Sequence, residues 1–255
     1  MSRRKDANPF SAVADAYRSS RPEYPSALFE DLAERCARRE LAWEAGCGSG
    51  QATISLARRF QEVYANDVSD EAVSRAPRHP RVRYVVGAAE KTRLKPHTVD
   101  CVLAAQAAHW FDRAAFYSEV RRVGRPGAVI ALVGYGLLRI EPSVDQVVDW
   151  FYSDLLGAYW PTGRLSVDAE YGDFEFPFEE MTGPELVIVR VWERQQLVDF
   201  LSTWSAVVRY GELTGTSALE PLLPRLAVTW PDPEECRTVT WRVFGRYGRL
   251  SNQAR

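Results

Sequence analysis

LAWEAGCGSGQATISLARRF, residues 41–60, is the stretch from which the fold can be read. Its first five residues are apolar except for Glu44, the composition of a short strand buried on both faces. Gly46, Gly48 and Gly50 follow at alternate positions. With no Cβ, they let the chain turn tightly and approach a ligand closely. Thr53, Leu56, Ala57 and Phe60 then recur at the spacing that places them on one face of a helix. A glycine-rich turn between a strand and a helix is the context in which such a turn can bind something.

Outward from this stretch the alternation continues. VYAND, SDEAVSRA, VRYVV, CVLAAQ, AAFYSEVRRV and AVIALVGY are short apolar runs exchanged with helical segments. Apolar strands alternating with helices predict an α/β fold with a doubly wound, mostly parallel sheet, its core spanning residues 25–136. RPGA at 125–128 reads as a turn into the last strand of that series. Upstream, Ala27, Leu28, Leu32 and Ala33 recur as on a helix, with Pro25 in its first turn.

Beyond residue 136 the character changes. Residues 139–182 are rich in aromatic and acidic side chains. ELVIVRVW at 185–192 and RTVTWRVFGRY at 237–247 read as strands, and RQQLVDFLSTW as a helix between them. The expected organisation is a binding core with an N-terminal lid over 1–136. A C-terminal cap carrying the last two strands of the same sheet covers 137–255. With no Gly/Ser linker between them, they are expected to form one structural domain.

Asp67 ends the strand after the glycine turn, where a carboxylate can accept both hydroxyls of a ribose. Two ligands suit this. Dinucleotide sites use G-x-G-x-x-G with a pyrophosphate on the helix N-terminus. Here the spacing is G-x-G-x-G, Gln51 stands where the third glycine would be, and Glu44 would repel a pyrophosphate. A carboxylate there suits a ligand with an ammonium group and no phosphate, the description of S-adenosylmethionine.

EAGCGSGQA (44–52), NDVS (66–69), GAAE (87–90) and AAQAAHWFD (104–112) together resemble the motifs of the class I S-adenosylmethionine-dependent methyltransferases. YRSSRPEYP (17–25), EVRRVGRPGA (119–128), AYWPTGR (158–164) and LSTWSAVVRY (201–210) resemble a branch of them, the trans-aconitate methyltransferase-like proteins. The resemblance covers nearly the whole chain. It departs at Gly124, where such proteins usually carry leucine, and at Ala128, where they often carry glycine.

The resemblance implies a Rossmann-like, seven-stranded sheet and an enzyme that leaves S-adenosylhomocysteine as product. It places Glu44, Gly46 and Gly48 at the methionine end of the cofactor, with Gln51 beside them. Asp67 would hold the ribose, Val68 would pack on the adenine, and Ala89 and Glu90 would border it. Gln106 would lie under the sulfonium. Tyr17 and Arg21 would form a lid, Arg21 meeting a carboxylate.

Methyl transfer from a sulfonium needs alignment and exclusion of water more than it needs protein chemistry. Tyr17, Trp110 and Phe111 offer aromatic faces to a cation. His109 ends a predicted strand; it would act as base toward a phenol or amine, or as an orienting group for a carboxylate. The expected acceptor is a small molecule methylated on oxygen, with a carboxylate first. The alternatives are an amine or phenol acceptor, an NAD-dependent oxidoreductase, and a non-catalytic S-adenosylmethionine-binding protein. Most of Trp160, Tyr171, Phe174, Phe176 and Phe178 are expected to form the core of the cap, with one or two of them facing the acceptor. Asp168, Glu170, Asp173, Glu175, Glu179 and Glu180 are expected to be a solvated face.

A formal net charge of -2 argues against a broad nucleic-acid-binding surface. The longest apolar run, 128–138, is too short for a bilayer span of ~20 residues. With no apolar stretch behind the basic N-terminus, a cytoplasmic monomer or homodimer is expected. The dispersed cysteines (Cys36, Cys47, Cys101, Cys236) and three histidines suggest reduced, buried thiols and no metal site.

Overall fold

The computed structural model describes residues 22–251. Helix α1 (Ser26–Arg35) buries Leu28, Phe29, Leu32 and Ala33. Ala27 is exposed and Phe29 takes its place, since the larger ring lies on the stripe formed with Ala33. There follow β1 (Leu41–Ala45), α2 (Gln51–Ala57), β2 (Glu62–Asp67), α3 (Asp70–Ser74), β3 (Val82–Val86), β4 (Val99–Ala105), α4 (Arg113–Val123) and β5 (Gly124–Tyr135). These five strands pair in parallel in the order β3-β2-β1-β4-β5. Chain order reverses beside β1, so the carboxyl ends of β1 and β4 flank the crevice in which open α/β sheets bind ligands.

The sheet is completed by β6 (Glu179–Met181), β7 (Leu186–Trp192) and β8 (Arg237–Arg249). β8 runs antiparallel to β5, β6 runs antiparallel to β8, and β7 also pairs with β8. The sheet thus has eight strands rather than seven. A β8 of 13 residues is long enough to pair with β5, β6 and β7, and the short β6 is the addition.

The turn expected at 125–128 is instead an irregular bulge within β5. Val99 pairs with Gly124 and Cys101 with Val129, so β5 advances five residues while β4 advances two. Gly127 takes a φ of 78° there. The bulge lets Arg125 reach back to the Asp100 and Glu40 carboxyls, each at 2.7 Å. Gly124 is explained by its surroundings: a Cβ would lie 2.4 Å from Leu250 Cδ2 and 2.9 Å from the Val120 carbonyl oxygen.

The chain divides into two compact units. One comprises Glu23–Leu137, Thr162–Ile188 and the chain from Trp241 onward; the other includes Leu138–Pro161 and Val189–Thr240. The first holds the parallel strands, β6 and two apolar cores. The second carries α5 (Pro142–Trp150), α7 (Arg194–Ser202), α8 (Ser205–Thr214) and α9 (Leu222–Thr229); α6 (Arg164–Asp168) belongs to the first.

This division splits the aromatic group expected to form one cap core. Trp160 packs with Tyr152 and Trp204 in the second unit. Tyr171, Phe174, Phe176 and Phe178 join Tyr117 and Phe244 in the first. The acidic run beside them is not simply solvated: Glu170 pairs with Arg242, Glu180 with Arg246, and Asp173 accepts from Ser166. Basic residues of β8 lie close enough to draw these carboxylates in. All four cysteines are free, but Cys236 is exposed, because it lies in the polar loop before β8. Among the described residues no helix is long and apolar enough to cross a membrane.

Candidate active site

Gly46, Gly48 and Gly50 take φ values of 70°, 52° and 80°, a left-handed backbone that favours glycine. Their surroundings differ. A Cβ on Gly46 would lie 2.5 Å from Ala107 Cβ and 3.2 Å from Phe111 Cζ, so the loop after β4 closes over it. One on Gly50 would lie 2.5 Å from the Tyr84 hydroxyl. One on Gly48 would meet nothing within 4 Å among the described residues. Gly48 is the open position of the turn, and Gln51 begins α2 just after it, half-buried.

The turn is clamped to the end of β2. Gly46 and Cys47 both donate to the Asn66 carbonyl, at 2.8 and 3.0 Å. The Gly48 N–H donates to Asp67 Oδ2 at 2.8 Å, while Asp67 Oδ1 accepts from the Ser69 N–H at 2.9 Å. The buried Asn66 side chain accepts from Trp43 Nε1 at 2.7 Å and donates to the Gly87 carbonyl at 2.8 Å. It therefore ties β1, the turn and the end of β3 together. Sequence reading passed Asn66 over, although an amide between apolar strand residues and Asp67 was its available signal.

Glu44 is enclosed rather than open: it is 2% exposed and its Oε2 accepts from Thr53 Oγ1. Burial pushes its carboxyl up to about 8, aided by the nearby charge of Asp67 and opposed by the Thr53 bond. Beyond the turn, Val68 is 74% exposed, a large apolar side chain left in the open at the end of β2. Ala89 is buried in the core with Trp43 and Tyr64. Glu90 Oε1 accepts from the Asp112 N–H at 3.0 Å, at the entry to α4.

At the end of β4, Gln106 has a φ of 53°, uncommon for a residue with a Cβ. Its N–H donates to the Val133 carbonyl at 2.9 Å and its Nε2 to the Tyr135 carbonyl at 3.1 Å. Its buried Oε1 has no hydrogen-bond partner among the described residues. A buried acceptor without a partner is costly and calls for an explanation.

His109 and Trp110 lie in the 3-10 turn Ala108–Trp110, their rings 5.0 Å apart. Trp110 is 61% exposed. His109 Nδ1 lies 3.0 Å from the Tyr171 hydroxyl. Burial, and secondarily the charge of Arg164, pushes His109 down to about 4, so the ring is neutral at pH 7. Tyr171, one of an aromatic group expected to be mostly cap core with one or two members facing the acceptor, is thus a neighbour of His109. Tyr17 and Arg21 lie outside the described residues. Tyr24 of the same stretch is described; its buried hydroxyl has no partner among the described residues and its ring is 5.8 Å from Tyr135. Among the described residues no group of His, Cys, Asp and Glu could hold a metal ion.

The methyltransferase domain family matches residues 43–132. Over 205 residues the chain is 32% identical to a candidate methyltransferase of Dictyostelium discoideum, an overlap covering 79% of this chain and 78% of the relative. A candidate S-adenosylmethionine-dependent methyltransferase of Mycolicibacterium smegmatis is 28% identical over 215 residues, covering 76% and 80% of the two chains. A solved structure from Anaeromyxobacter dehalogenans, described as a candidate type II methyltransferase, superimposes with a TM-score of 0.85 at 45% identity. It covers 91% of this chain and 99% of its own. The doubly wound sheet, the glycine turn between β1 and α2, and these overlaps agree: the chain belongs to the class I methyltransferase family.

Proposed function

We propose that this enzyme transfers a methyl group from S-adenosylmethionine to a small-molecule acceptor at an oxygen that is already ionised, a carboxylate. The observation that carries the cofactor is the open Gly48 beside Asp67, at the carboxyl ends of β1 and β2. Two features fit the group independently. Exposed Val68 offers an apolar surface to a flat base, and the unpaired Gln106 Oε1 offers partial negative charge to a cation.

In this reading Asp67 accepts the ribose hydroxyls with lone pairs left over from its two backbone bonds. The Gly46–Gly48 backbone faces the methionine end. Glu44 acts from behind the turn, bonded to Thr53, holding its shape rather than meeting an ammonium as an open carboxylate. The glycine carbonyls and N–H groups then do the contacting. Ala89 contributes backbone to the adenine edge, since its side chain is in the core. Gln51 and Glu90 flank the cofactor, and Tyr17 and Arg21 close over it.

When bound, the cofactor supplies a methyl group activated by the adjacent sulfonium. The protein positions the acceptor and excludes water. His109 and Trp110 form the acceptor side. An imidazole whose conjugate acid lies near 4 is a poor base for a phenol or an ammonium, whose ordinary values lie near ~10. It is well suited to orienting an acceptor that needs no deprotonation, which favours a carboxylate.

The test is transfer of radiolabelled methyl from S-adenosylmethionine to trans-aconitate, a wider panel of carboxylic acids, phenols and amines. Label on an acid that mild alkali releases is the expected result and marks a methyl ester. Label confined to phenols or amines would overturn the carboxylate reading, and no turnover on any class would favour a binding protein.

A further inference from the structure

His109 and Tyr171 are 62 residues apart in the chain and meet through one hydrogen bond. Tyr171 is fully buried, stacked on Phe174 at 4.6 Å and packed edge-on against Phe244 at 5.2 Å. Its hydroxyl has no partner among the described residues except His109 Nδ1. A phenol carries one proton, and that proton needs an acceptor. If Nδ1 carried the proton and donated to the phenol oxygen, the phenol O–H would be left against aromatic walls, a buried donor with no acceptor. If the phenol donates, Nδ1 is the acceptor and both groups are satisfied. A neutral imidazole has one N–H, which must then sit on Nε2. Nε2 has no partner among the described residues.

The backbone around Tyr171 is held in a conformation that needs support. Glu170 and Tyr171 are consecutive residues with φ values of 53° and 60°. Such residues persist only where their surroundings over-determine them. Here the Tyr171 N–H donates to the Ser166 carbonyl at 2.8 Å. Arg246 Nη1 donates to the carbonyls of Tyr171 and Phe174, at 3.2 and 3.0 Å. On the Cδ2 edge of the imidazole lies Gly163, where a Cβ would come 2.7 Å from the His109 carbonyl oxygen and 3.4 Å from Cδ2, so a side chain there would crowd this residue. Among the described residues, the charges that act on this pair are Arg164, on α6 with its ion-pair partner Asp168, and Asp173 beside Tyr171.

We propose that Tyr171 is a positioning residue that locks His109 in the Nε2–H tautomer, so that His109 presents a hydrogen-bond donor, and not a base, to the methyl acceptor. The tautomer is a property of the protein alone; only its use toward an acceptor rests on the function proposed above. A donor aligned in this way steers an oxygen bearing lone pairs and charge and cannot accept a proton at the atom that faces it.

The chain has three histidines, so ring nitrogens labelled with 15N can be resolved by two-bond proton–nitrogen correlation and assigned by loss of one set in His109→Gln. In the unmodified protein His109 is expected to carry its proton on Nε2 throughout about pH 5.5 to 8, where an ordinary imidazole would titrate. A proton on Nδ1, or a mixture of tautomers, overturns the proposal. In Tyr171→Phe, checked for folding by its thermal melt, the single Nε2–H form is expected to give way to the mixture of both tautomers that an unconstrained imidazole shows; a pure Nε2–H form in that variant would also overturn the proposal. If that variant does not fold, the tautomer in the unmodified protein still decides. With an acceptor in hand, Tyr171→Phe should lower kcat roughly tenfold with little change in KM, the scale of one hydrogen bond. Loss in KM alone would contradict a positioning role. Because the tautomer is read without cofactor or acceptor, its failure is distinct from a failure to find methyl transfer.

Discussion

Gly46, Gly48 and Gly50 share a left-handed backbone but differ in what surrounds them, and substitutions should separate them. Gly48→Ala adds a methyl group at the open position, with a backbone cost of ~1–2 kcal/mol. It is expected to weaken S-adenosylhomocysteine binding about tenfold by calorimetry, while the protein remains folded. Gly46→Ala drives its methyl into Ala107 Cβ and should chiefly lower the melting temperature. Glu44 offers a second test. Its folded value of about 8 lies above the 4.5 of an exposed glutamate, so between these the folded chain keeps a proton that the unfolded chain has lost. The associated stability is fully present below about 4.5 and is lost as pH rises through about 8, with a slope of at most ~1.4 kcal/mol per pH unit. Glu44→Gln should flatten that slope in urea melts taken from pH 5 to 8; an unchanged slope would mean the carboxyl is not held protonated.

At the level of elements, the amino ends of β1, β4 and β5 are joined by one side chain. Asp100, 4% exposed, accepts from the Glu40 and Leu41 N–H groups at 2.8 and 3.0 Å and from Arg125 at 2.7 Å. Asp100→Ala would leave two backbone donors unpaired and Arg125 with Glu40 alone. A loss of ~2–4 kcal/mol is expected, seen in the urea midpoint, with Asp100→Asn retaining part of it. The strands themselves were legible from their apolar runs. The bulge that brings Arg125 to Asp100 was not, because RPGA reads as a turn and only pairing with β4 reveals it as part of a strand. Likewise, Tyr171, Phe174, Phe176 and Phe178 cannot be told from cap residues by their spacing, although they enter the core of the first unit. Which core they enter depends on the path of β8.

For the whole molecule, a cofactor that binds only the folded chain must raise its melting temperature. At a hundred times its dissociation constant, S-adenosylhomocysteine should add ~2.7 kcal/mol and shift the midpoint of a chain this size by roughly 5–10 °C. NAD at the same concentration should leave it unchanged. Asp67→Ala should remove most of the shift, since it takes away both the proposed ribose acceptor and the bond that fastens Gly48. A full shift in that variant would show that the cofactor does not use Asp67.

The sequence by itself determined what depends on local order: the alternation of strand and helix, the glycine turn after β1, the acidic residue ending β2, and the family they mark. These follow from the two periodicities and from the few residues able to adopt a left-handed backbone. The tertiary structure decided what depends on residues distant in the chain. It left Gly48 open and closed Gly46 with Ala107. It enclosed Glu44 against Thr53 and made Asn66 the tie between strands. It also brought Tyr171 to His109. Spacing in a sequence specifies which face of an element a side chain occupies. The atom that side chain meets is set by loop closure and packing, where a buried polar group is stable only when a partner arrives from elsewhere in the fold.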